Sequence, residues 1–140
     1  MRVPRALLFI AAGVLAGAQF WPVDRDNPPL RGEFEAPPEV LGLLKRACYD
    51  CHSNETRWPW YGYIAPFSWF LGDHIEEGRA ELSFSEWSTY PAKRKQKKLE
   101  EILEELEEGE MPLFSYTLLH RDAVLSPEEL AVLKAWANGG

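Results

Sequence analysis

Cysteine is almost absent from this 140-residue chain, whose two cysteines, Cys48 and Cys51, lie three positions apart. A small secreted domain stabilised by disulfides carries several cysteines spread along its chain, so this sequence does not encode such a scaffold. No cysteine precedes residue 48, which excludes a lipid anchor on an N-terminal cysteine. Methionine is equally scarce, with only Met1 and Met111. Any sulfur chemistry of this protein therefore depends on very few positions.

The chain also lacks an excess of basic residues, since 15 lysines and arginines stand against 22 acidic residues, for a net charge of −7. Arg2 and Arg5 are the only charged residues among the first 18, so the remainder carries a net charge of −9. This charge argues against nucleic acid and anionic lipid as the main partner. The hydrophobic fraction of 46% is typical of a globular protein, and the length suits one domain plus a leader.

Long apolar runs are absent after residue 21, and the one that exists extends from Ala6 to Trp21 with Gln19 as its polar member. Behind two arginines, it predicts a signal sequence or membrane anchor over residues 1–21, with the rest of the chain exported. The run is slightly shorter than the ~17 residues of a minimal spanning helix. We expect an uncleaved anchor in the cell membrane, with the domain facing the periplasm. Cleavage near Ala18, in a small-residue sequence, would instead leave a soluble periplasmic protein.

Residues 22–38 contain five prolines, which is incompatible with a regular helix or strand. We predict a semi-rigid tether here, with a reach of roughly 50 Å if it is fully polyproline-like. The folded domain is then expected over residues 39–140.

This domain shows no alternating strand pattern, and its apolar residues recur at helical spacing, which predicts an all-α fold. Helices are predicted over residues 38–48, 66–79 and 91–108. A last helix is expected after Ser126, which forms a capping-box sequence with Glu129.

The two cysteines belong to the sequence Cys48-Tyr49-Asp50-Cys51-His52, a C-x-x-C-H motif. This is the attachment signature of c-type haem. Thiols three residues apart on a helical turn can each add to one vinyl group of the porphyrin, and the adjacent histidine is placed to bind the iron. The sequence therefore predicts one covalent haem c, held by Cys48, Cys51 and His52.

A zinc site, a redox motif and a disulfide each fit the cysteine pair less well. A structural zinc site takes about four ligands, and no second cysteine pair is present. A thioredoxin-like redox motif is expected in a βαβ context, which the pattern lacks. A plain disulfide stays open, but predicted export favours haem because c-type attachment takes place outside the cytoplasmic membrane.

The second axial ligand of the iron is predicted to be Met111, in a Gly-Glu-Met-Pro loop that follows a helix. The alternative role of Met111 is to fill a gap in the core. His74 is a weaker candidate for this ligand and His120 a weaker one again. An open or water-bound iron is the remaining alternative.

Residues 57–71 are rich in aromatic rings, which pack well against a porphyrin and exclude water. Within this stretch Arg57, Trp58, Trp60 and Tyr61 also carry hydrogen-bond donors. We predict that these donors contact the haem propionates.

The stretch from Cys48 to Tyr61, CYDCHSNETRWPWY, resembles the opening of the bacterial haem-binding domain family, small C-x-x-C-H proteins that often carry an N-terminal anchor. The likeness continues through residues 77–79, 84–87 and 109–113 and covers about residues 20–137. More loosely, the order helix, C-x-x-C-H, helix, methionine loop, helix is similar to class I cytochromes c. The resemblance implies an extracytoplasmic, cytochrome c-like helical domain wrapped around one haem.

Together these features predict a monohaem c-type cytochrome that transfers single electrons to redox protein partners and is not an enzyme. A haem-based redox or gas sensor is the alternative, since Met111 could leave the iron. A haem peroxidase would need an open iron and a general acid–base residue, for which His74 is the candidate.

Overall fold

The computed structural model describes residues 4–32 and 34–139, and these ranges contain helices and no strand. The α-helices are α1 (Arg5–Ala18), α2 (Pro38–Ala47), α3 (Tyr49–His52), α4 (Phe67–Glu81), α5 (Ala92–Glu108), α6 (Phe114–Thr117) and α7 (Pro127–Ala137). Short 3₁₀ helices cover Trp60–Tyr63, Phe84–Thr89 and Arg121–Ala123. The all-α prediction is confirmed. Arg2 of the predicted signal and the last residue of the predicted domain, Gly140, lie outside the described residues.

Helices α2 and α7 follow directly from their local sequence. Helix α2 begins at Pro38, whose fixed φ suits a first turn. Its buried face is an apolar stripe at helical spacing, formed by Val40, Leu43, Leu44 and Ala47. At the start of α7 the Ser126 hydroxyl accepts a hydrogen bond from the Glu129 N–H, and the Glu129 carboxylate accepts one from the Ser126 N–H. The predicted capping box is therefore present.

Helix α5 ends at Gly109, which adopts a left-handed φ of +75° that glycine accepts at no steric cost. Of its predicted apolar face, Leu106 is fully buried, whereas Leu99, Ile102 and Leu103 are only half-buried. Ile102 is partly uncovered because it lines a cavity, which Leu106 also borders.

The hydrophobic core lies where α2 packs against α3 and α7, and α5 also packs against α7. Its buried members are Phe34, Val40, Leu43, Leu44, Tyr49, Leu82, Phe84, Leu106 and Leu133. Phe34 comes from the proline-rich segment and meets Phe84 edge to face, with ring centroids 4.9 Å apart. A segment predicted to be a tether thus contributes to the core.

Residues 22–32 and 34–37, which we call the strap, run along the surface of the domain. The strap has no helix or strand, as its prolines predict. Hydrogen bonds join it to the domain along its length, among them Arg25 to Gly62, Asn27 to Thr56, Pro29 to Asn54 and Arg31 to Ser85. Because these bonds fix it in place, the strap does not have the reach expected of a free tether.

Helix α1 covers the apolar run at the start of the chain. It is 14 residues long, and none of its residues is buried. Within residues 4–32 and 34–139, no helix combines the length and apolar character required to cross a membrane. The membrane anchor expected over residues 1–21 therefore stays a proposal.

Candidate functional site

The C-x-x-C-H motif occupies a tight helical turn between α2 and α4. Cys48 follows the last residue of α2, and its N–H donates to the Leu44 carbonyl at 2.8 Å. The Cys48 carbonyl in turn accepts the N–H groups of Cys51 at 3.2 Å and His52 at 2.9 Å. This winding brings both thiols and the imidazole into the lining of one cavity, as the sequence predicts.

Both cysteines are free thiols in a largely apolar setting. Burial raises the pKa of Cys48 to about 12 and that of Cys51 to about 11. The two side chains are therefore neutral at physiological pH and add no charge to the cavity.

The imidazole of His52 is held by the backbone of α4. Its Nδ1 lies 2.9 Å from the Gly78 carbonyl oxygen and 3.2 Å from that of Leu82. Carbonyl oxygens only accept hydrogen bonds, so the proton resides on Nδ1 and Nε2 keeps its lone pair. Burial lowers the pKa of His52 and so favours the neutral ring. Histidines that bind metals are commonly oriented by such a second bond to a carbonyl.

Gly78 allows α4 to approach the motif closely. A Cβ atom at this position would lie 2.9 Å from the Cys51 carbonyl oxygen and 3.2 Å from the Cys51 Cβ. No larger residue fits there without movement of the backbone. Sequence reasoning missed this role, although a glycine inside a predicted helix is the kind of signal that indicates close packing.

The cavity that these residues line has a volume of about 620 Å³. Of the three candidates for the second axial ligand, Met111 and His74 contribute to its lining, whereas the described residues of the lining do not include His120. The Nδ1 of His74 lies 2.8 Å from the Phe70 carbonyl oxygen within α4. The walls also include apolar side chains: Leu44, Ala47, Leu82, Phe84, Ile102, Leu106, Pro112, Leu113 and Leu133.

Charged groups occupy one side of the cavity. Lys98 is a buried lysine whose Nζ lies 3.5 Å from the Glu81 carboxylate and also contacts Glu101. Glu77 and Glu105 belong to the same lining. A lysine in a charged run usually lies in water, so the burial of Lys98 could not be predicted from its sequence neighbours.

A hydrogen-bonded group buttresses the motif from the side of α6. The Tyr116 hydroxyl donates to the Asp50 carboxylate at 2.7 Å, and the Arg57 backbone N–H donates to the same carboxylate at 3.1 Å. Burial raises the pKa of Tyr116, so its hydroxyl remains a donor. Tyr116 also lines the cavity. Its role was missed because 66 residues separate it from Asp50.

The four residues predicted to contact the haem propionates lie outside the described lining of this cavity. The described residues of the cavity lining do not include Arg57, Trp58, Trp60 or Tyr61. Arg57 pairs with Asp50, whereas the Tyr61 hydroxyl lies 2.8 Å from Nε2 of His120. Contact of these four residues with a propionate therefore stays a prediction.

The residues in the cavity form a donor set that fits a haem. They supply the imidazoles of His52 and His74, the thioether of Met111 and two thiols, which match the ligation and thioether attachment of a haem c. The volume is in the range of cofactor pockets. The chemistry of the site and the space beside it are thus compatible with this cofactor.

Comparison with known protein families gives a match to a model described as Haem-binding domain, over residues 13–139. The match includes the motif, the strap, all the cavity residues and part of α1. A search of curated proteins and a search of solved structures each found no match.

Proposed function

The chain belongs to the haem-binding domain family, and from that premise we propose that it is a monohaem c-type cytochrome that carries single electrons outside the cytoplasmic membrane. In this proposal Cys48 and Cys51 bind the haem covalently, and His52 and Met111 are the axial ligands. One haem c cycles between Fe(III) and Fe(II) when bound.

The proposal rests mainly on how the imidazole of His52 is held. Its Nδ1 is bonded to α4 carbonyls, so Nε2 is available in a cavity that two thiols also line. A ligand held by backbone atoms of a packed helix keeps its position when the charge of the metal changes. Such rigidity lowers the reorganisation that accompanies electron transfer.

The remaining lining supports an electron carrier. Apolar side chains exclude water, and Met111 supplies a soft sulfur that favours Fe(II) over Fe(III). With His52 and Met111 as its two protein ligands, the metal would have no site for peroxide or gases. The carboxylates near Lys98 stay paired with that lysine at the edge of the cavity.

Covalent attachment is tested by acid–acetone extraction of protein matured in a host with c-type assembly machinery. We expect the haem to stay on the polypeptide, and to be lost when Cys48→Ala and Cys51→Ala are combined. Extraction of haem from the unaltered protein would refute the c-type assignment.

The second axial ligand is tested by optical spectra and redox titration of Met111→Ala, with His74→Ala as the matched control. The unaltered protein should be low-spin, with the weak sulfur-to-iron band in its oxidised form. Met111→Ala should abolish that band, lower the potential and let the ferrous protein bind carbon monoxide. The same effects from His74→Ala would identify a bis-histidine site. Tight carbon monoxide binding by the unaltered protein would favour the haem-based sensor.

A further inference from the structure

Two uncharged stretches of the chain, residues 6–23 and 58–72, meet at one surface of the domain. The side chain of Gln19 clamps Ala65, with its Nε2 donating to the Ala65 carbonyl at 3.3 Å and its Oε1 accepting the Ala65 N–H at 3.0 Å. Val23 packs so closely on Gly72 that a Cβ there would lie 2.9 Å from Val23 Cγ1. The end of α1 and the first half of α4 therefore form a continuous surface.

This surface carries aromatic rings that the domain leaves in contact with solvent. Each of the following side chains, which we call the aromatic patch, is more than half exposed: Phe20, Trp21, Trp60, Tyr63, Phe67 and Phe70. Arg25 lies beside it, with its guanidinium 4.8 Å from the Tyr63 ring and its Nε bonded to the Gly62 carbonyl. Large contiguous apolar surfaces on a folded domain mark interaction sites.

We infer that the aromatic patch docks the domain onto the interface of a lipid bilayer. The inference rests on the proposed membrane anchor over residues 1–21 and adds the orientation of the domain on that membrane. The patch continues α1, an exposed apolar helix without a charged side chain after Arg5. Aromatic residues at the end of a membrane-inserted helix lie at the interface, and the Gln19–Ala65 clamp would hold the patch at that level.

The chemistry of the patch favours lipid over a charged partner. Tryptophan and tyrosine prefer the headgroup level, where the ring is apolar and the N–H or O–H meets water. Beyond Gly72, α4 becomes acidic at Asp73, Glu76 and Glu77, and the whole chain has a net charge of −7. Attraction to anionic headgroups is thus not the driving force. Ring insertion into zwitterionic lipid should depend little on salt.

Three phenylalanines of similar exposure allow a matched test. Phe9 lies in α1, Phe67 in the aromatic patch and Phe114 in α6, with 78%, 60% and 79% of their surfaces exposed. Each is replaced in turn by the photoreactive analogue p-benzoylphenylalanine in the full-length haem-loaded protein. The protein is irradiated with phosphatidylcholine vesicles at low and high salt, and its peptides are analysed by mass spectrometry. The haem spectrum reports correct folding of each variant.

We expect lipid adducts from positions 9 and 67, unchanged by salt, and none from position 114. Adducts from position 9 without adducts from position 67 would overturn the docking and leave membrane attachment intact. Absence of lipid adducts at both positions would refute the membrane location itself. Protein–protein adducts at position 67 would assign the patch to a second copy, and equal lipid adducts at position 114 would show that the patch is not specific. Both results would also overturn the inference.

Discussion

At the scale of single residues, Gly78 sets the distance between α4 and the C-x-x-C-H motif. An added Cβ would press on the backbone of Cys51 at 2.9 Å, a contact that cannot relax by a side-chain rotation. Gly42 is also a helical glycine, in α2, but a Cβ there meets no atom within 4 Å. Alanine substitutions at these two glycines should therefore have opposite effects on stability.

We predict that Gly78→Ala destabilises the haem-loaded protein by about 1–3 kcal/mol, because overpacking against backbone forces the helices apart. Gly42→Ala should instead stabilise it by up to about 1 kcal/mol, since alanine is the better helix former. Denaturant unfolding followed by haem absorbance measures both. Equal effects of the two substitutions would contradict the close-packing role of Gly78.

Arg79 joins three parts of the chain through one guanidinium group. Its Nε donates to the Ser53 carbonyl at 2.9 Å, just after the motif, and its Nη2 donates to Asn27 of the strap at 2.7 Å and to Thr56 at 2.9 Å. Bonds from a charged donor contribute more than neutral ones. The residue therefore couples the strap to the segment that follows His52.

For Arg79→Gln we expect a loss of about 1–3 kcal/mol in the free energy of unfolding, together with faster proteolysis of the strap. Arg121→Gln, at an exposed arginine, should change stability by less than about 0.5 kcal/mol. Urea titration and limited proteolysis give the two readouts. If the strap of Arg79→Gln resists proteolysis as well as that of the unaltered protein, the other hydrogen bonds of the strap are sufficient to hold it.

At the scale of elements, α7 is tied to α2 by an ion pair. The Arg46 guanidinium lies 2.7 Å from the Glu129 carboxylate, which also completes the capping box. The hydrogen bond from Arg46 lowers the pKa of Glu129. A carboxyl whose pKa is lower in the folded chain stabilises that chain above its unfolded pKa, and this stabilisation disappears as the pH falls through the folded pKa.

Glu129→Gln keeps a side chain that can serve the capping box but removes the charge. We predict that it is less stable than the unaltered protein at pH 7, and that the difference shrinks below about pH 4, where the unfolded carboxyl is protonated. Thermal unfolding across this pH range measures the difference. A gap that stays constant at low pH would mean that the ion pair does not contribute.

The helices were predictable from sequence because their signals are local. The stripe of α2, the capping box of α7 and the terminal Gly109 of α5 each lie within about two turns of the chain and match the structure. The C-x-x-C-H motif is also local, and it identifies Cys48, Cys51 and His52 of the cavity lining. In contrast, the bonds of His52 to α4 and of Tyr116 to Asp50 cross 26 or more residues, and no local pattern encodes such pairings.

At the scale of the whole molecule, a cavity of about 620 Å³ lies beside the hydrophobic core. Core residues such as Leu44, Phe84 and Leu133 line it, so a molecule bound there would pack directly against the core. A ligand that binds only the folded state stabilises that state. Stability should therefore depend on the haem.

We predict that the chain without haem, as in the variant that combines Cys48→Ala and Cys51→Ala, lacks cooperative thermal unfolding. The haem-loaded protein should give a single calorimetric transition, and its near-ultraviolet circular dichroism should collapse in the variant. A sharp transition in both forms at similar temperatures would indicate that the helices close the cavity on their own.

The ring of Phe70 belongs to the aromatic patch and lies 4.1 Å, centroid to centroid, from the ring of His74. His74 lines the cavity, so a single pair of rings separates the docking surface from the cofactor site. With the patch on a bilayer, a reactant dissolved among the lipids would reach that pair by lateral diffusion, a search in two dimensions. The exchange rate would then scale with the density of the reactant per unit of membrane area and with lipid fluidity, and not with its concentration in bulk water.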